Sequence, residues 1–215
     1  MEPFTRIAAP AVPLPRYGLD TDQLIPSRFM KEPRKSGYGK FLLYDLRHDE
    51  NGSLNADFIL NRAEASEART LVARRNFGAG SSREAAVYAL VDFGFRCVVA
   101  PSFGDIFSAN AVNNGLLPAT VSEEHLEVIL TLLGDELGPM VVDLEKLSLS
   151  LGDQEIPFTV NDNWRKKLLN GWDDITLTLQ HSDAVETFAA ERFEAFPWAA
   201  PIHQDRNEGG TSPRV

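Results

Sequence analysis

Thr70-Leu71-Val72-Ala73-Arg74-Arg75-Asn76-Phe77-Gly78-Ala79-Gly80-Ser81-Ser82-Arg83-Glu84, running on into the alanine-rich stretch Ala85 to Phe93, decides how this chain folds. Four apolar residues without polar alternation suit a strand covered on both faces. A glycine-rich turn follows, then a helical pattern from about Ser82 to Phe93 that Gly94 stops. The same order repeats downstream. An apolar strand, Cys97 to Ala100, ends at Pro101, and Asp105 opens a second helix through Asn113, closed by Gly115. Leu116 to Val121 reads as another strand, and Ser122 with Glu123 and Glu124 starts a third helix with its dipole complemented. Such alternation predicts βαβ crossovers and a parallel sheet.

On the N-terminal side, residues 1 to about 16 carry four prolines and predict extended chain with at most a short edge strand. Asp20-Thr21-Asp22-Gln23-Leu24-Ile25-Pro26 is a polar loop entering a short apolar segment, and Met30 to Lys40, with four basic residues, suggests an exposed, mobile loop. On the C-terminal side, Met140 to Val160 alternates like antiparallel strands joined by hairpin turns. A short helix from Asp162 to Leu169 stops at Gly171, and an amphipathic helix runs from Ser182 to about Phe196. The expected organisation is one α/β domain over residues 1–200 with a C-terminal helical extension, and a disordered tail over 201–215.

The turn carries the chemistry. Unpaired N–H groups at a helix N-terminus, glycines that let backbone approach a ligand, and an arginine fork together suit an anion, and most simply a carboxylate. A phosphate loop needs lysine then Ser/Thr after the second glycine, and Gly80 is followed by Ser81-Ser82-Arg83 instead. A dinucleotide fingerprint lacks its third glycine at Arg83, and a nucleophile elbow fails on spacing. A tight turn with a serine cap is the plain structural alternative, but a cap uses one hydroxyl and this turn has two beside an arginine.

Composition narrows the partners. The chain has 215 residues and a formal net charge of −10, with no lysine- or arginine-rich block, which argues against nucleic acid. The single cysteine, Cys97, can neither close an internal disulfide nor supply the ligands of an iron–sulfur cluster. The four histidines, His48, His125, His181 and His203, show no metal-ligand spacing, so no metal site is expected on this chain. No signal peptide and no run near the ~20 apolar residues of a membrane span stand out, so the expected location is cytoplasmic.

Asn76 to Glu84 resembles the signature of the swivelling β/β/α domain of the aconitase superfamily, and within it the small subunits of bacterial 3-isopropylmalate dehydratase. The likeness continues in Asp20 to Pro26, Asp92 to Arg96, Ala100 to Phe107, Asn114 to Pro118 and Leu168 to Leu179, in the family's order. It implies a hydro-lyase subunit that works with a large subunit bearing a [4Fe–4S] cluster, no cofactor on this chain, and a small di-acid substrate. That pair would isomerise 2-isopropylmalate to 3-isopropylmalate in leucine biosynthesis. The alternatives are a related enzyme for another 2-hydroxy diacid of the citraconate, methylmalate or homoaconitate type, or a non-catalytic anion-binding module. By the family pattern Ser81 is the catalytic base, Arg83 binds a substrate carboxylate, and Ser82 with the backbone of Gly80 and Ser81 supports the anion. Asp20, Thr21, Asp22 and Glu84 would line or orient the active-site edge, and Phe29 to Tyr38 would shape specificity. One departure stands out: where most relatives follow the signature glutamate with histidine, this chain has Ala85.

Overall fold

A computed structural model describes residues 1–201, so the expected tail lies outside the described residues from 202 onward. The chain divides into two compact units, Met1–Asp174 and the segment from Ile175. In chain order the first unit holds β1 (Arg6–Leu14), the one-turn helices α1 (Thr21–Leu24) and α2 (Tyr44–Arg47), β2 (Thr70–Ala73), α3 (Glu84–Phe93) and β3 (Cys97–Ala100). There follow α4 (Asp105–Asn113), β4 (Leu117–Thr120), α5 (Glu123–Leu133), β5 (Gly138–Asp143), β6 (Ser148–Leu151), β7 (Gln154–Pro157) and α6 (Asp162–Asn170). Helix α7 (Asp174–Leu179) begins at the boundary, and the second unit carries α8 (Ser182–Ala195), none of whose residues is buried.

One seven-stranded sheet runs in the order β4-β3-β2-β1-β5-β6-β7. Strands β1 to β4 are parallel, and β5, β6 and β7 continue antiparallel from the other edge of β1. The expected edge strand is therefore the central one. Proline usually marks an edge because it withholds a ladder N–H. Here the two neighbours are staggered: residues 6–11 pair with β5, whereas only residues 11–14 pair with β2. Pro10 faces Pro139, and because the Pro10 carbonyl and nitrogen point toward the β2 side, the ladder with β5 needs no donor from it at that pair. Pro10 still contributes its carbonyl, which accepts from Arg69 N–H at 3.1 Å.

Side chains sort with period two onto the two faces. Val12, Leu14, Leu71, Ala73, Val98 and Ala100 enter one core with α3 and with Phe107 and Ala111 of α4. Ala11, Val72, Cys97, Val99, Leu117 and Ala119 enter the other, with Leu126 and Ile129 of α5 and Leu168 of α6. Burial on both faces explains why β2 and β3 read as unbroken apolar runs. The basic segment expected to be a mobile loop is folded into three short 3-10 turns, Ser27–Lys31, Arg34–Ser36 and Gly39–Phe41. Buried Tyr38 and Phe41 anchor it, and Asp92 of α3 both pairs with Arg34 and accepts from Tyr38 N–H at 2.7 Å.

Candidate active site

Between β2 and α3 the backbone turns sharply, with positive φ at Asn76 (63°), Gly78 (69°) and Gly80 (103°). Asparagine tolerates that region better than most residues, and glycine does so without penalty. Gly78 is required for a second reason: a Cβ there would lie 2.2 Å from Cγ of Phe107, so the turn rests directly on α4. Phe77 locks it further. Its N–H donates to Ser102 O at 3.0 Å, its carbonyl accepts from Gly104 N–H at 2.9 Å, and its ring meets that of Phe107 edge-on at 5.3 Å.

The loop before α1 is stitched to this turn. Gly78 N–H donates to Leu19 O at 2.7 Å, and Thr21 N–H donates to Ala79 O at 3.1 Å. The buried Thr21 hydroxyl then accepts from Ser81 N–H at 3.2 Å. Asp20 forms a capping box on α1, accepting from Gln23 N–H at 2.7 Å while Gln23 Oε1 accepts from Asp20 N–H at 3.2 Å. The carboxylate is fixed by its own helix and so holds Thr21 in place for Ser81.

Helix α3 starts at Glu84, two residues later than its sequence pattern predicts, with Arg83 at the N-cap and no side-chain cap bond. The positive-φ Gly80 and the extended Arg83 keep Ser81 and Ser82 outside the helix, so neither hydroxyl is spent as a cap. Gly80, Ser81 and Ser82 are exposed, as is Asp22. The Arg83 guanidinium pairs with the Asp22 carboxylate, which joins the two segments a fourth time. Glu84 Oε1 accepts from Asn114 Nδ2 at 2.8 Å, and Tyr88 stands one helical turn on. Burial, and secondarily the nearby Glu84 carboxylate, push the Tyr88 hydroxyl above its ordinary range.

All eight residues singled out from sequence thus converge on one turn, with Glu84 facing its rear. What the sequence did not single out is the scaffolding: Ser102, Phe107, Gln23, Asn114 and Tyr88. Only the last had a local signal, since Glu84 and Tyr88 stand four apart on a helix. Chemically the arrangement offers two open hydroxyls at a helix N-terminus, beside a guanidinium already holding a carboxylate.

The family model of the aconitase C-terminal domain matches residues 1–124, more than half of the chain, and the model of the C-terminal domain of the 3-isopropylmalate dehydratase small subunit matches residues 174–202. A 3-isopropylmalate dehydratase small subunit of Bifidobacterium animalis subsp. lactis is 46% identical over 199 residues, covering 92% of this chain and 85% of its own length. The chain belongs to the 3-isopropylmalate dehydratase small-subunit family. A small subunit of that name from Agrobacterium fabrum is 43% identical and matched over its whole length, with 93% of this chain covered. A crystal structure of 3-isopropylmalate dehydratase from Methanocaldococcus jannaschii shares the fold, with a TM-score of 0.60 at 23% identity over 85% of this chain and 98% of that one.

Among the described residues of this small-subunit family member, no three His, Cys, Asp or Glu side chains converge to hold a metal ion. Cys97 is wholly buried in β3, and burial pushes its thiol above the ordinary range. Among those residues, too, no helix is long and apolar enough to cross a membrane.

Proposed function

We propose that this chain is the small subunit of a 3-isopropylmalate dehydratase, joining a large subunit to interconvert 2-isopropylmalate and 3-isopropylmalate by loss and return of water in leucine biosynthesis. The carrying observation is the exposed turn Gly80-Ser81-Ser82-Arg83, held open at a helix N-terminus by Thr21. Its reader is a dicarboxylate. Arg83 takes a substrate carboxylate in place of that of Asp22, with which it pairs in the free chain.

Ser81 is assigned the base. Its oxygen removes the proton from the substrate carbon beside the departing hydroxyl, the C–H electron pair becomes the new C=C, and the hydroxyl leaves. On rehydration a proton is delivered to the carbon that lost the hydroxyl while the hydroxyl of water adds to the carbon that lost its proton, which turns the 2-hydroxy acid into the 3-hydroxy isomer. A serine hydroxyl is a weak base, so its alkoxide must be stabilised where it forms. The α3 N-terminus, with unpaired N–H groups and partial positive charge, and the Arg83 cation supply that stabilisation without reorganisation. Thr21 fixes the Ser81 backbone and thereby the direction of its side chain. The residues of this chain, with one cysteine, do not fit a [4Fe–4S] cluster, and the large subunit is assigned the cluster, which would supply a Lewis acid when bound. A single domain over residues 1–200 with a C-terminal helical extension remains the proposed organisation.

Reconstitution with the large subunit tests this directly. The unaltered pair is expected to form the alkene from 2-isopropylmalate and to deliver 3-isopropylmalate. Ser81→Ala is expected to cut turnover by at least about a hundredfold, since general-base contributions run at about 10²–10⁴. Preference for citraconate-type or homoaconitate-type substrates in the same assay would move the assignment to a sister hydro-lyase. Full turnover by Ser81→Ala would remove Ser81 from the base position.

A further inference from the structure

The loop that leads into Asp20 carries Tyr17, whose side chain is 59% exposed although two arginines hold it. The Arg74 guanidinium carbon lies 5.0 Å and that of Arg75 5.5 Å from the ring centroid, and Arg74 Nη1 donates to the Tyr17 hydroxyl at 3.1 Å. The backbone ties the same residues together: Gly18 N–H donates to Arg75 O at 3.0 Å, and Arg74 N–H to Arg16 O at 3.2 Å. Arg74 is also gripped by Glu127, whereas Arg75 keeps a loose 3.9 Å contact with Glu123 and remains 61% exposed. A chain of net charge −10 therefore holds Arg74 and Arg75 against one exposed aromatic ring, with Arg16 tied in through its carbonyl.

This rim adjoins the open turn. Tyr17 stands three residues before Asp20, and the next residue but one, Leu19, accepts from Gly78 N–H. Gly80, Ser81 and Ser82 are exposed, so whatever supplies the other half of the chemistry must close over them and cross this rim. Tyrosine and arginine are the residues that dominate binding at interface centres, and a ring already fixed by its neighbours loses little freedom on docking. We infer that Tyr17, with Arg16, Arg74 and Arg75, is a principal anchor for the large subunit, whose complementary surface is an apolar recess for the ring bordered by carboxylates. The inference rests on the two-subunit reading above.

The test is a binding titration of immobilised large subunit with this chain, run without substrate, beside an activity titration on 2-isopropylmalate. Tyr17→Ala is expected to raise the dissociation constant about tenfold or more, with the saturated turnover and the thermal midpoint unchanged. Tyr17→Phe, which keeps the ring, is expected within about threefold of the parent, and Arg75→Glu is expected to weaken binding and flatten its salt dependence. A dissociation constant for Tyr17→Ala within about twofold of the parent overturns the anchor, as does a loss that appears in self-association of this chain instead. If the unaltered chain binds the large subunit but turns nothing over, the proposed function fails while the binding comparison still decides the anchor. If it does not bind at all, both fall.

Discussion

Thr21→Val is the most discriminating change available at the turn. The replacement is nearly isosteric, leaves buried apolar packing in place, and deletes one oxygen, the Oγ1 that accepts from Ser81 N–H at 3.2 Å. A neutral hydrogen bond is worth about 0.5–1.5 kcal/mol net. Ser81 is exposed, so water can satisfy its freed N–H, and the full penalty of a buried orphan donor does not apply. The stability loss is therefore expected to be at most about 1.5 kcal/mol, a midpoint shift of roughly 3–6 °C for a chain of this size. If the bond serves to aim the Ser81 hydroxyl, the same energy is withdrawn from the transition state, and kcat falls about two- to twelvefold with KM little changed. The assay is alkene formation by the reconstituted pair, beside a thermal melt of the small subunit alone. Thr21→Ser restores the oxygen and should restore most of the rate. Unaltered kcat in Thr21→Val, or a Thr21→Ser variant as slow as the valine, would refute the positioning role.

Three further expectations follow from the same geometry. Arg83→Lys keeps the charge but loses the planar fork, so KM for the diacid should rise about tenfold in steady-state assays with kcat less affected, a shift of about 1.4 kcal/mol. Gly78→Ala combines a left-handed backbone penalty of roughly 1–2 kcal/mol with overpacking of about 1–3 kcal/mol against Phe107, so the melting midpoint should drop by roughly 4–20 °C. Cys97, wholly buried with its thiol pushed up by desolvation, should resist iodoacetamide in the native chain and react once the protein is unfolded in denaturant, as mass spectrometry would read.

The parallel half of the sheet was legible because its strands are buried on both faces and separated by helices. Thr70 to Ala73 and Cys97 to Ala100 announce their ends through the apolar run alone, and β2 and β3 keep those bounds. Features set by distant partners were not legible. The centrality of β1 depends on two strands, one of them more than a hundred residues away, arriving at staggered heights, while its prolines argue locally for an edge. The start of α3 is similar. Ser81 and Ser82 look like caps, and what removes them from the helix is the backbone of Gly80 with the hold of Thr21, sixty residues earlier in the chain. The segment from Met30 to Lys40 is polar enough to read as mobile, and what orders it is distant: its grip on Asp92 and its packing on Tyr88 of α3. The eight candidate residues came from motif and family likeness, and the contacts that bring them together, Thr21 to Ser81 and Asp22 to Arg83, carry no local pattern.

Ala85 is where the chain leaves the family pattern, and the structure shows what a side chain there could and could not be doing. If the usual histidine orients the signature glutamate, its loss should leave Glu84 undirected. Glu84 is instead held by Asn114 Nδ2 at 2.8 Å from the end of α4, with Tyr88 one turn along α3. Tyr88 is itself braced, with the Arg34 guanidinium carbon 4.2 Å from its ring centroid and the Tyr38 ring edge-on at 6.1 Å. The basic segment, the rear of α3 and the carboxylate of the signature thus form one connected body, assembled without position 85. Ala85 meanwhile is half-buried and packs against the core beneath α3, where a small side chain costs nothing. Glutamate orientation is therefore available to this chain through Asn114, without a side chain at position 85.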